Sequence, residues 1–172
     1  VLAGKRKERQ KNRAKYHART KRAYHTRPWV KAAMLHRNKI ILALKWRGLG
    51  ATDKQIHGLG IPANQYVRWL GDQFSPGMTW DNWGIHSPTE LRWNVDHILP
   101  LRGKVAGELL FDLSVMAEQA VAFNYLNTRP MWAGPNIVKS NRVPYWDDIP
   151  PELQAICTPR IRALLQKVKK TA

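Results

Sequence analysis

The chain has one cysteine in 172 residues, Cys157, and that scarcity removes two chemistries together. No disulfide can form within the chain, and no cysteine-rich zinc site can be built. A lone thiol fits a reducing compartment, so the cytoplasm is the expected location, with Cys157 read as a small apolar residue on the last helix. Acids are scarce as well: 12 Asp and Glu stand against 29 Lys and Arg, for a formal charge of +17 and an isoelectric point near 10.5. A surplus of that size repels itself unless an anion neutralises it, and a polyphosphate backbone is the natural partner. Missing too is any apolar stretch long enough to span a bilayer, which predicts a soluble protein with no membrane partner. The start Val1-Leu2-Ala3-Gly4 has no apolar signal core and runs into charge, and a first residue other than Met reads as a trimmed chain or a fragment. What remains, 44% hydrophobic with eight Trp, suffices for one compact domain with a modest core and an appendage.

The appendage is residues 1–27. They hold eleven basic side chains (Lys5, Arg6, Lys7, Arg9, Lys11, Arg13, Lys15, Arg19, Lys21, Arg22, Arg27) against one acid, Glu8, with almost nothing to bury. Free, such an arm is expected to be disordered or a frayed helix; against DNA or RNA it orders along phosphates, with Tyr16, Tyr24 and His25 available for stacking. Its role is read as sequence-independent anchoring, the bland alternative being a solvated tail. From Pro28 the composition changes, and Trp29, Ala32, Ala33, Ile40, Ile41, Leu44 and Trp46 recur at helical spacing, which predicts a helix over 28–47. Thr52-Asp53-Lys54-Gln55-Ile56 predicts a short capped helix, and a further helix over 63–74 places Tyr66, Val67, Leu70 and Phe74 on one side. This helix, turn, helix arrangement admits two readings, a groove-reading helix over 63–70 or a brace packed on a sheet, with the brace as the default. At the far end, 152–170 reads as a helix interrupted at Pro159, burying Ile156, Ile161, Leu164, Leu165 and Val168 and leaving Arg160, Arg162, Lys167, Lys169 and Lys170 to solvent or phosphate. The segments are therefore 1–27, 28–76, 77–146 and 147–172.

Chemistry concentrates in 77–146. In Trp93-Asn94-Val95-Asp96-His97-Ile98-Leu99-Pro100-Leu101 an acid and an imidazole sit side by side within an apolar run. Neighbouring side chains on a regular strand point to opposite faces, so the pair can serve one substrate only where the strand ends, going into Ile98-Leu99-Pro100. Thirty residues on comes a second cluster, Asn127-Thr128-Arg129-Pro130-Met131-Trp132-Ala133-Gly134-Pro135-Asn136-Ile137-Val138-Lys139-Ser140. A helix starting near Ala133-Gly134-Pro135 presents Asn136 and Lys139 on one face. Taken singly these have ordinary readings, a structural Asp–His pair and a turn. Trp80, Trp83 and Trp93 are read as core, 103–121 as an insertion containing a helix, and His36, His57 and His86, which carry no motif, as structural or surface residues.

Taken in order, Asp96-His97-Ile98 with Pro100, then Asn127, then Asn136 and Lys139 resemble the HNH endonucleases, the ββα-metal group of phages, mobile introns and RNA-guided nucleases. Asn127 and Asn136 are nine apart as in that family, the Asn-x-x-Lys-Ser ending is present, and Phe74-Ser75-Pro76-Gly77-Met78-Thr79-Trp80-Asp81-Asn82-Trp83-Gly84 looks like the run that precedes the motif in phage and intron-type members. The likeness covers roughly residues 59 to 142. It departs from the family's name at Asn136, which stands where many members have His, and the Cys pairs of zinc-bearing members are missing, so no structural zinc is expected. The resemblance implies an α+β, mostly helical fold: a ββα-metal nuclease module with flanking helices and a basic N-terminal arm. It further implies hydrolysis of phosphodiester bonds in DNA, with RNA open as an alternative substrate, and host cytoplasm as the location if the protein is phage-encoded. In that scheme His97 activates water, Asp96 and Asn136 hold one Mg²⁺ or Mn²⁺, and Asn127 braces the loop that carries His97. Lys139 and Arg129 contact phosphate together with the arm. A non-catalytic nucleic-acid binder on the same scaffold is the other class left open.

Overall fold

Pro28 sets the first boundary. The structure, a computed structural model, describes residues 2–50 and 59–168; in it α1 covers Leu2–Thr26 and α2 covers Pro28–Lys45. Proline has no N–H with which to continue α1, but its fixed φ suits the first turn of α2. The arm, expected to be disordered or frayed, is one continuous helix, because Ala, Lys, Arg and Gln are good helix formers. It has no core face: none of its described side chains is fully buried. The side chains of Lys5, Arg6, Lys7, Arg9 and Lys11 lie outside the described part of the structure. So do the expected helix at 52–56, His57, Lys169 and Lys170.

Helix α2 joins the two halves of the core. Its buried residues Ala32, His36, Ile40, Ala43 and Leu44 recur at three to four positions and form one stripe. Ala32 enters an aromatic cluster with Tyr66, Leu70, Met78, Trp83 and Trp93. Ile40, Ala43 and Leu44 enter a second cluster with Ile98, Leu99, Phe111, Phe123 and the C-terminal helices. Helix α3, Ala63–Gly71, packs inward through Tyr66 and Leu70, leaving Asn64, Gln65 and Arg68 exposed. It stops three residues before Phe74, at a turn through Asp72 and Gln73, while Phe74 and Val67 still pack on the aromatic cluster.

Four short strands follow: β1 over Trp93–His97, β2 over Lys104–Val105, β3 over Glu108–Leu109 and β4 over Thr128–Trp132. β1 and β4 form an antiparallel ladder with Trp93 opposite Trp132 and His97 opposite Thr128. Helix α4, Met116–Ala122, precedes β4, and α5, Ala133–Lys139, follows it directly. The β2–β3 hairpin was not foreseen. Its turn places Ala106 at φ 51° and Gly107 at φ 85°, the positive pair that a two-residue hairpin needs, but only the second is a residue that announces it. Helices α6, Pro151–Ile156, and α7, Pro159–Leu165, close the larger cluster through Leu153, Ile161, Leu164 and Leu165, with Cys157 buried between them. The fold is thus α+β, about half helical, with two small antiparallel sheets. Among the described residues no helix is long and apolar enough to cross a membrane.

One expectation about α7 is corrected. Arg160, read as facing solvent or phosphate, donates to Glu118 Oε2 at 2.8 Å and to the Leu109 carbonyl at 2.8 Å. Glu118 is only 3% exposed and also accepts from Asp112 N at 2.6 Å. A buried carboxylate requires a partner, and Arg160 is the cation within reach.

A two-stranded ladder does not hold itself together in water, and the aromatic cluster supplies what it lacks. Trp93 is fully buried and stacks on Trp83 at 5.2 Å, with the edges of Phe74 and Trp80 at 4.8 and 5.5 Å. Its indole N–H donates to Thr79 O at 2.6 Å, and its backbone bonds to Asn82 and Gly84, so the approach segment clamps the start of β1. Trp93→Ala is expected to destabilise the protein by about 3–5 kcal/mol, read from the denaturant midpoint at constant slope.

Candidate active site

Strand pleating separates the two leading residues. Asp96 and His97 are the last two residues of β1, as the sequence requires of them, and they face different neighbours. Asn94 and Asp96, two apart, share the face covered by α5. Asp96 Oδ1 accepts from Lys139 Nζ at 2.9 Å, and Oδ2 accepts from Arg129 Nε at 3.1 Å, Arg129 being its cross-strand partner in the ladder. Asn136 donates from its amide nitrogen to Asn94 Oδ1. Lys139 also donates to the His97 carbonyl at 2.7 Å. Asn136 and Lys139 therefore share a face of α5, as expected. Lys139 and Arg129, expected at phosphate, both rest on Asp96.

Asn127 ends the single helical turn Tyr125–Asn127 just before β4 and is wholly buried. Its Oδ1 accepts from Leu99 N at 2.7 Å, and its Nδ2 donates to Leu99 O at 3.1 Å and to Ala122 O at 3.0 Å. Its backbone carbonyl accepts from Ile98 N at 3.0 Å. The turn after His97 is thus gripped on three polar groups, and the bracing geometry attributed to Asn127 is present.

His97 sits beside α2. Burial first, then the charges of Lys39, His36 and Lys139, hold its pKa well below the usual imidazole value, so it is neutral. Its Nε2 is buried and has no hydrogen-bond partner among the described residues. Two neighbours were missed by the motif reading. His36 is pushed down to about 4 by burial and by Lys39, against a hydrogen bond to the Phe123 backbone that raises it. Lys39 donates to the Val95 carbonyl at 2.5 Å and is lowered to about 8, by burial and then by Lys139, with Asp96 opposing. The signal for His36 was there in outline: position 36 falls on the same stripe as Ala32, Ile40 and Leu44. Nothing in the sequence marks Lys39. His86, also without a motif, is exposed.

A cleft of about 240 Å³ opens here, lined by Asp96, His97 and Asn136 together with Lys39, Trp46 and Arg102. It adjoins a larger cavity of about 780 Å³ running under α2 to the end of α1, and the two share Lys39, Leu42, Val95 and Asn136. The metal donors on offer are one carboxylate and two amide oxygens, from Asp96, Asn94 and Asn136. All are hard ligands, which fit one weakly held Mg²⁺ or Mn²⁺ completed by water and phosphate oxygens. Among the described residues there is no group of three or more His, Cys, Asp and Glu of the kind that cages a metal tightly. The Lys139 ammonium sits on Asp96 Oδ1, the oxygen such an ion would use.

No family model matches the chain, and no solved structure matches it. Two curated proteins of Acanthamoeba polyphaga mimivirus are similar to it. Uncharacterized protein L426 is 30% identical over 90 residues, which is 52% of this chain and 34% of that protein. Uncharacterized protein L246 is 29% identical over 143 residues, 83% of this chain and 54% of that protein. The chain thus spans about a third and about half of the lengths of these relatives.

The neutral burial of His36 has a consequence for stability. Its folded pKa of about 4 lies below the ordinary 6.5, so between these values the unfolded chain binds a proton that the folded chain refuses. The contribution is complete above pH 6.5 and drains away as pH falls toward 4. Urea midpoints are expected to drop over that window, and His36→Phe to flatten the drop in part.

Proposed function

We propose that the protein is a metal-dependent HNH-type endonuclease that hydrolyses phosphodiester bonds in DNA. The observation that carries the reading is the convergence of Asp96, His97 and Asn136 on one cleft, from the end of β1 and from α5, with Asn127 pinning the turn that follows His97. These are the positions of the resemblance, in its order. His97 is the group assigned to accept a proton from the attacking water, its ring being neutral and lining the cleft, with its unpartnered Nε2 buried until substrate opens a path to it. Phosphate oxygens beside Lys39 and Lys139 cancel part of the charge that weakens His97, and so make it a stronger base in the presence of substrate. Asp96 and Asn136 are the residues that would hold the metal, which when bound would supply Lewis-acid stabilisation of the phosphate charge. Lys39, Lys139 and Arg129 attract and position the phosphate, and α1 supplies anchoring that does not depend on sequence.

A second reading, a nucleic-acid binder that keeps the scaffold without cutting, has one observation in its favour: both oxygens of Asp96 are already occupied by cations. Incubating supercoiled plasmid and a structured RNA with the protein, in Mg²⁺, Mn²⁺ or chelator, separates the readings and distinguishes DNA from RNA. Nicked or linear plasmid in Mg²⁺ that disappears in chelator is the expected result. His97→Ala is expected to lower the cleavage rate on the order of a hundredfold or more while leaving DNA affinity nearly unchanged, because a general base acts in the transition state. Retention of cutting within about tenfold of the parent rate would remove the assignment.

Deleting residues 1–27 is expected to weaken binding to all sequences alike and to flatten its dependence on salt, since eleven cations leave with the segment. Titration of labelled duplexes of unrelated sequence across a salt series checks this. Loss of preference for one sequence at unchanged overall affinity is the contrary outcome.

A further inference from the structure

The rim of the cleft holds an aromatic ring that nothing in the catalytic scheme uses. Trp46 follows the last residue of α2 and is 53% exposed, and Arg102 places its guanidinium 3.9 Å from the ring centroid. Both line the same cleft as Asp96, His97 and Asn136. Leu42, one turn earlier on α2, is 48% exposed beside them. The end of α2 and the loop after His97 meet beside the pair: Arg47 donates to the Leu101 carbonyl at 3.4 Å, and Gly103 N closes a turn onto Pro100 O at 2.9 Å.

One face of this exposed indole is taken by a cation. Among the described residues no carboxylate pairs with Arg102, in contrast to Arg92, Arg129, Lys139 and Arg160. Asp96 is the only acid lining this cleft, and both its oxygens are bound. The rim therefore offers a flat apolar surface beside an unneutralised guanidinium, next to a site rich in positive charge. That combination complements a ligand with one aromatic face and one adjoining anion.

We propose that Trp46 and Arg102 form a binding site for an unpaired nucleotide next to the phosphate positioned by Lys39 and Lys139, with the base stacked on Trp46 and its phosphate on Arg102. This rests on reading the cleft as a nucleic-acid site, and it deepens that reading by naming the substrate class as single-stranded or locally opened strand. Paired bases stack on one another and present no free face, so the platform selects against an intact duplex.

The test is binding and does not require cutting. Fluorescence anisotropy of the full chain in chelator, at raised salt to screen the arm, is measured with three labelled probes: a single-stranded oligodeoxynucleotide, its oligoribonucleotide counterpart, and a fully abasic deoxyribose-phosphate chain of equal length. The parent protein is expected to prefer a base-bearing strand over the abasic chain on the order of tenfold. Trp46→Ala should erase that preference, Trp46→Phe should keep most of it, and Arg102→Ala should weaken binding to all three probes. The relative affinity of the DNA and RNA strands shows which of the two supplies the nucleotide. Equal discrimination by parent and Trp46→Ala, or none by the parent, overturns the proposal. A protein that discriminates through Trp46 yet cuts neither plasmid nor RNA in Mg²⁺ leaves the platform standing and defeats only the nuclease reading.

Discussion

One buried carboxylate ties the candidate site together. Asp96 is 4% exposed, and withdrawing its charge from water costs several kcal/mol unless cations compensate. The compensation comes from two different elements, Arg129 on β4 and Lys139 on α5, so satisfying one acid on β1 fixes the second strand and the helix against the first. The arrangement is not balanced. Lys39 from α2 stands in the same neighbourhood, giving three cations around one carboxylate. In a protein with 29 basic and 12 acidic residues, the local excess repeats the global one, and a phosphate chain of the kind proposed would relieve both.

Helix α2 explains why the site does not reduce to a strand–strand–helix unit. It contributes to both hydrophobic clusters, and where it crosses from one to the other it turns His36 and Lys39 toward His97. The charge and the burial that keep His97 neutral therefore come largely from outside the segment that carries the motif. Packing and chemistry are coupled here: the apolar stripe that seats α2 sets the register at which Lys39 meets the Val95 carbonyl.

How much of this was legible in the sequence depended on how local its cause was. Helices with caps or prolines at their ends were placed closely, as Pro28–Lys45 and the break at Pro159 show, because their limits are set by backbone chemistry. The bracing of Leu99 by Asn127 was anticipated through the resemblance alone, since no spacing rule ties position 127 to position 99. The engagement of Lys139 and Arg129 by Asp96 was not anticipated. Their attraction to phosphate was visible as charge, but the carboxylate that reaches them first is a matter of strand register, fixed by which residues of β1 and β4 stand opposite. Lys39 and the pairing of Glu118 with Arg160 were invisible for the same reason, each linking residues more than forty positions apart. The β2–β3 hairpin escaped because two-residue strands carry no periodicity.

The cations on Asp96 bear directly on how a metal would enter. Lys139 and a divalent ion compete for the same oxygen, and the ammonium has the advantage of being tethered at 2.9 Å. An ion with one carboxylate and amide oxygens for ligands gains too little from the protein alone to displace it readily. A bound phosphate changes the balance in two ways. Its oxygens would add ligands for the ion, and they would give the displaced ammonium a new acceptor close by. Metal and nucleic acid should therefore bind with positive coupling, each raising the affinity for the other by the same factor, as linkage requires. On the proposed reading Lys139 would keep Asp96 buried and paired until substrate arrived, and the catalytic constellation would be completed by the nucleic acid itself.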